Sequence, residues 1–565
     1  MDKKLIAAVF VVLLAVFAYV WLDHPVVEEA DMLLINGVVY TLNDAQPIAQ
    51  AVAVRAGKIA AVGGTDELRE RFSAAQVIDL KGKPVYPGFT DAHAHLEGLG
   101  ALLLNINLMD TRSVAEIQEL VAERAAVVPP GTWIRGRAWD QNRWPIKTFP
   151  THDMLDSVTT SHPVYLKRVD GHAAWVNKEA LDLAGITRDT PDPEGGKILR
   201  DARGEPTGVL IDNAVELVEA VMPPPSEAEM REAIEKAARE CVRVGLTEVH
   251  DMGVELDVIS IYKTLINERK LPLRLYVALA GAGPAWRQYA ERGPEVPSDD
   301  PRLTIRALKV YADGALGSRG AALIEPYSDD PTNRGLTLTS ADSLRKLAEA
   351  ALRSGFQLCV HAIGDRANHI VLNVFEDIAR RDPSRFAAAR FRIEHVQVLE
   401  PNDIPRFKRN GVIPSMQPTH CTSDMPWAEE RLGPERVKGA YAWRSLLETG
   451  ASIAGGSDFP VESPNPLYGF YAAITRQDHN GMPPEGWYPE QRMQRFEALK
   501  AFTIWPAYAA FEESIRGSIE EGKLADIVVL SNDIMKCDPR EILGTTVVYT
   551  IVGGEIVYAA DTHLP

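Results

Sequence analysis

Cysteine is scarce in this 565-residue chain. Four residues, Cys241, Cys359, Cys421 and Cys537, lie far apart with no C-x-x-C pair. That excludes a disulfide framework and a zinc knuckle; Cys359, inside an apolar run, reads as a small buried hydrophobe. Basic charge is also in deficit. Lys and Arg number 60 against 78 Asp and Glu, a formal net charge of −18, which excludes a nucleic-acid partner bound through a basic face. Long apolar runs are missing too, except at the N-terminus. There "LIAAVFVVLLAVFAYVWL", Leu5 to Leu22, follows Lys3 and Lys4. A spanning helix needs roughly 20 apolar residues, and flanking lysines stay in the cytoplasm. Residues 1–28 therefore read as a signal peptide cut after Ala18 or as an uncleaved anchor; the length and the bulky end, Tyr19 to Leu22, favour the anchor. The expectation is an exported protein. It is membrane-anchored and faces the periplasm or extracellular side, or it is secreted if the segment is cleaved.

What is present is a globular composition, 46% apolar and 24% charged. From Ala30 to about Pro84 short strand-like runs alternate with turns at Asn36-Gly37 and Gly57-Lys58. A similar pattern, "GSIEEGKLADIVVLS" and "TVVYTIVGGEIVYAA", returns at the C-terminus. These ends predict one β-sandwich assembled from residues 29–86 and 512–565. Between them, helical segments such as "EMREAIEKAARECVRVG" lead into apolar runs such as "LTEVHDMG". The repeat predicts an α/β protein, a (β/α)8 TIM-type barrel over residues 87–511, with its chemistry at the C-terminal strand ends. A Trp-, Gly- and Pro-rich stretch, 131–225, breaks the repeat and reads as a lid insertion. It contains a hairpin turning at Ala202, Arg203 and Gly204.

The stretch "PVYPGFTDAHAHLEG" ends an apolar run on His93 and His95, with Asp91 just before. Residues i and i+2 of a strand share a face, and neutral imidazoles ligate divalent cations. Alone, H-x-H is weak. Four later strand ends add Lys309 in "LKVYADGALGSRGAAL", His361 in "VHAIGD", His395 in "RIEHVQ" and Asp458 in "GGSDFPV". Six such residues, one per strand end after the first pair, form a candidate metal site.

These stretches, with "PVYLKRVDGHAAWVN" and "GSIEEGKLADIVVL", resemble the amidohydrolase superfamily, most closely the amidohydrolase-3 branch that includes N-substituted formamide deformylases. The likeness runs from Ala30 onward. One departure is Gly320 after Gly-Ser-Arg, where relatives commonly carry Thr. The resemblance implies a metal-dependent hydrolase of a small molecule's C–N bond, N-formyl or N-acyl. It implies two divalent cations, zinc by default with manganese, iron or cobalt accommodated, bridged by Lys309 as an N6-carboxylated lysine and by a hydroxide. His93, His95 and Asp458 would hold one cation, His361 and His395 the other, and Asp458 would serve as general base and then acid. An ordinary Lys309–Asp313 pair is the competing reading of the lysine.

Outside that set, His172 in "DGHAAW" is a candidate oxyanion donor or a lid anchor. Arg319, Gln417 and Trp139 are candidate substrate contacts, with Trp144 and Trp175 as further lid aromatics whose plainer role is packing. His250 and His420 read as supporting residues. Two other functions compete. A mononuclear deaminase on the same barrel wants a glutamate after the fifth-strand histidine, where this chain offers Asp365. A non-catalytic scaffold would have lost ligands that this chain keeps. A homodimer, and membrane contact through an uncleaved N-terminus, complete the partner expectations.

Overall fold

The computed structural model describes residues 9–10, 27–109, 111–169, 171, 173–193, 196–298 and 300–560. Apart from Val9 and Phe10, the N-terminal apolar run lies outside the described residues. So does His172. Among the described residues no helix is long and apolar enough to cross a membrane.

Eight parallel strands form the central sheet. In chain order they are β1 (Phe89–Ala94), β2 (Leu246–Val254), β3 (Arg274–Ala280), β4 (Leu303–Tyr311), β5 (Gln357–Ala362), β6 (Arg392–His395), β7 (Ile413–Met416) and β8 (Ala454–Gly455). Neighbours in sequence are neighbours in space, joined by helices such as Glu227–Arg243, whose Ser226 and Glu229 form a capping box. β8 meets β1 through backbone: Asp458 N–H donates to His93 O (2.7 Å), and His95 N–H donates to Phe459 O (2.9 Å). The barrel predicted from the β–α repeat is therefore present, and its closing seam falls at the two ends of the predicted ligand set.

The two termini build one sandwich. Strands from 527–559 pair with Pro84–Pro87, Val38–Tyr40 and Ile48–Ala49 in a six-stranded sheet. A four-stranded sheet from Glu28–Gly63 and Phe72–Asp79 packs with it around Leu34, Val52, Val54, Ile527 and Val529. The Ala56-Gly57 turn has φ of 50° and 76°, the geometry two-residue hairpins require.

A third sheet of six strands runs from Ile106–Asn107 to Pro206–Asp212. It contains the expected hairpin, Gly196–Arg200 against Pro206–Asp212, with Gly204 at φ 87°. The insertion starts earlier than residue 131. Helix Val114–Val127 already belongs to it, its Ile117 and Val121 sharing a core with Trp139 and Leu166 of this sheet and with Trp144.

Candidate active site

β1 is buried along its whole length, and its pleat brings Asp91 and His93 to the barrel interior. Asp91 fixes the seam. Its carboxylate accepts from Ser457 Oγ (2.6 Å), Ser457 N (3.0 Å) and His93 N (3.1 Å). Burial pushes its carboxyl up to about 7 against those donors. Gly456 is obligatory here, since a Cβ would meet Asp91 Oδ1 at 2.6 Å and His93 N at 2.7 Å.

Each of the four predicted histidines is pinned through one ring nitrogen. His93 Nδ1 donates to Glu394 Oε2 (2.6 Å), His95 Nδ1 to Met252 O (2.9 Å), and His395 Nδ1 to Gln417 Oε1 (2.9 Å). His361 Nε2 faces Gly314 O at 3.4 Å. The other nitrogen of His93, His361 and His395 is left as a lone pair, while His95 Nε2 faces Asp458 Oδ1. The rings converge: His93 lies 4.6 Å from His395 and His361 4.5 Å from His395, centroid to centroid. Asp458 Oδ1 is 3.2 Å from His95 Nε2 and 3.7 Å from His93 Nε2. His93, His395 and Asp458 also present ligand atoms within 4.8 Å of one another.

The electrostatics match. Burial, with the Lys309 ammonium nearby, takes the His93 imidazole down to about 4 and His361 to about 3. Burial and the neighbouring imidazoles hold His395 well below its ordinary value. All three are neutral, the form that ligates. Burial alone would raise the Asp458 carboxyl; the His95 hydrogen bond and adjacent imidazoles outweigh it and keep the group ionised. Lys309 is 1% exposed. Among the described residues no carboxylate lies within 4.0 Å of its Nζ, which donates to His93 Nε2 at 3.0 Å and sits over the Tyr311 ring. The Lys309–Asp313 pair is therefore absent. Asp313 accepts instead from the amides of Ala322, Ile363 and Gly364. The donor set fits a divalent cation: neutral imidazoles, an ionised carboxylate, and a buried amine that occupies the same His93 lone pair a cation would take.

Two backbone departures make this possible. His395 has φ 74° and Asp458 φ 60°, left-handed values that cost a non-glycine residue roughly 1–3 kcal/mol when strained. At the end of β6 the first breaks the strand alternation, so consecutive residues both serve the site. Glu394 holds His93 and His395 joins the cluster.

The cluster floors a cavity of about 930 Å³. His95, Lys309, His361, His395 and Asp458 line it, and the insertion contributes Arg137, Asp140, Lys147, Arg168 and Val169. The predicted substrate contacts fare differently. Arg319 does not line this cavity. Its guanidinium is paired with Asp329 at 3.2 and 2.9 Å, because the loop after β4 turns it sideways at φ 60°. Trp139 is fully buried, gives its indole N–H to Leu166 O, and packs on Trp144 and Trp175 as the core of the insertion. Gln417 is buried behind His395 and orients it. His250 accepts from buried Arg392, as a supporting role requires. Glu394, Gln397 and the arginines of the insertion were missed. The "R-I-E-H" spacing, two charged residues on one strand face before a histidine, was the signal for Glu394.

A model described as the amidohydrolase family matches residues 76–558, and a short bacterial imidazolonepropionase-like composite-domain model matches 51–72. The chain is 34% identical over 554 residues to the protein LONG AFTER FAR-RED 3 of Arabidopsis thaliana, covering 95% of this chain and 93% of that one. It is 30% identical over 547 residues to the N-substituted formamide deformylase of Arthrobacter pascens, covering 94% and 99%. Among solved structures, an uncharacterised metal-dependent hydrolase from Pyrococcus horikoshii OT3 superimposes with a TM-score of 0.74 at 27% identity, covering 90% of this chain and 99% of that one.

Proposed function

The chain belongs to the amidohydrolase family, and from that premise we propose that it hydrolyses an amide-type C–N bond, N-formyl or N-acyl, in a small molecule. One observation carries the reading. Four imidazoles, each tied back through one nitrogen, surround an ionised carboxylate and a buried amine at the floor of one cavity. Tying back the second nitrogen is how proteins orient metal-bound histidines.

His93, His95 and Asp458 would hold one cation, His361 and His395 a second, and Lys309 as a carbamate would serve both. Carboxylation removes an uncompensated buried ammonium, which is costly in itself. When bound, such cations polarise a carbonyl and lower the pKa of a water. The protein's own part is to deliver and remove protons at Asp458, which stays ionised beside the cavity, and to enclose the substrate under the insertion, our lid. Asp365 supports no deaminase role. It accepts the amides of Ile324 and Arg366 and does not line the cavity.

Metal analysis tests the proposal. Two zinc or manganese ions per chain, loss of activity toward a panel of formamides, amides and lactones on chelation, and a carbonyl signal on Lys309 after ¹³C-bicarbonate labelling are expected. One ion per chain favours the mononuclear alternative; full activity without metal ends the reading. Export through residues 1–28 is a separate proposal, resting on Leu5 to Leu22. An alkaline phosphatase fusion that stays inactive overturns it. Light scattering reads the dimer expectation.

A further inference from the structure

The segment after β7 concentrates buried polar atoms without a hydrogen-bond partner: Gln417 Nε2, Thr419 Oγ1 and His420 Nε2. His420 is the informative one. It borders the cavity and is 7% exposed. Its Nδ1 accepts from Gln397 Nε2 at 3.1 Å, and the Gln397 backbone is held by its carbonyl accepting Tyr441 N–H at 2.7 Å. With Nδ1 accepting, a neutral imidazole carries its proton on Nε2. The ring is held flat against His395, 6.0 Å between centroids and 18° between planes.

That Nε2 is 3.7 Å from Asp458 Oδ2, just beyond hydrogen-bond reach. Asp458 Oδ1 lies on the other side, toward His95 and His93. The two carboxylate oxygens are thus sorted: one belongs to the imidazole pair, the other faces His420. The Asp458 backbone is already set by its φ of 60° and its amide bond to His93 O. What remains is rotation of the carboxylate, restrained on the Oδ1 side alone by His95.

We propose that His420, tautomerically fixed by Gln397, is a positioning residue for proton transfer at Asp458. Its Nε2–H closes on Oδ2 and stops that rotation, so the oxygen that handles the proton keeps one direction toward the cavity. Proton transfer depends steeply on such alignment. The inference rests on the reading of Asp458 as the acid/base.

Three variants test it: His420→Phe keeps the ring and removes the donor, His420→Gln restores an N–H near Nε2, and Gln397→Leu releases Nδ1. In crystals of the zinc-loaded protein, the wild-type Nε2–Oδ2 distance is expected to close to about 3.2 Å or less, and the Asp458 carboxylate to rotate in His420→Phe. With 4-nitroformanilide as probe, His420→Phe should lower kcat roughly 10–100-fold with KM within about twofold and zinc content unchanged. His420→Gln should recover most of the loss, and Gln397→Leu should fall between. A wild-type separation beyond about 3.5 Å, an unmoved carboxylate in His420→Phe, or a loss carried by KM overturns the inference. If the wild type turns over no formamide or amide of the panel, the amide reading fails on its own, and the crystallographic distances still decide the role of His420.

Discussion

The two ends of the barrel bury charge in opposite ways. At the C-terminal mouth, imidazoles, a carboxylate and an amine converge, each with an atom left over. At the N-terminal base, carboxylates meet guanidinium groups directly. Arg516 pairs with Glu248 and Glu512, and Arg274 with Asp526 at 2.7 Å. Asp526 also accepts the amide of Gly553, so its pair with Arg274 ties the sandwich to the barrel. The base satisfies its charges internally and so contributes rigidity. The mouth leaves its lone pairs open and so contributes binding. Burial is common to both; the difference is whether the partner is protein.

That contrast is open to test, beginning with its largest effect. Asp458→Asn should cut turnover by roughly 10²–10⁴ while leaving the melting temperature unchanged, measured on metal-loaded protein. Unaltered turnover would take the chemistry away from the mouth. Arg516→Met should do the reverse. It strands the Glu248 carboxylate and should cost about 3–5 kcal/mol in denaturant melts, with metal stoichiometry intact in the folded fraction. Glu394→Gln sits between the two classes. It removes the carboxylate behind His93 and should weaken metal affinity about 10–100-fold, read by competition with a chelator.

The smallest effect is graded with pH. Burial, with the Glu248 carboxylate beside it, raises Glu512 to about 8 from 4.5. The folded chain keeps this proton where the unfolded chain has lost it. The stability it confers is therefore complete below pH 4.5 and is lost as pH rises to 8, by at most about 1.4 kcal/mol per pH unit. Glu512→Gln should flatten that component of the stability–pH profile. A mutant with the wild-type slope would show that the base is not where the proton is held.

Much of the site was legible because its chemistry is rare in sequence. His93 and His95 follow an apolar strand with a spacing that shares a face, and Lys309, His361, His395 and Asp458 each end a similar run. The structure gathers all six at one mouth. The partners that orient them were not legible, for specific reasons. Met252 and Gly314 act through backbone oxygens, which any residue type supplies. Glu394 shares a strand face with Arg392, a spacing that reads equally as a buried ion pair. Arg319 and Trp139 carried the right chemistry for substrate contact, yet a loop turn and the insertion's core claimed them. The insertion begins earlier than its composition suggests because helix Val114–Val127 shows only Ile117 and Val121, one turn apart, as a buried face. Such a pattern says that a face is buried without saying against what.

Sequence by itself determined the alternation of strands and helices, the inventory of metal-capable side chains and their assignment to strand ends. Those follow from hydrophobic period and residue chemistry, which are local. Tertiary structure alone decided which nitrogen of each histidine is free, which oxygen of Asp458 faces His420, and which arginines reach the cavity. The histidine orientations alone depend on partners 22 to 301 residues away in the chain, and no local rule encodes such distances.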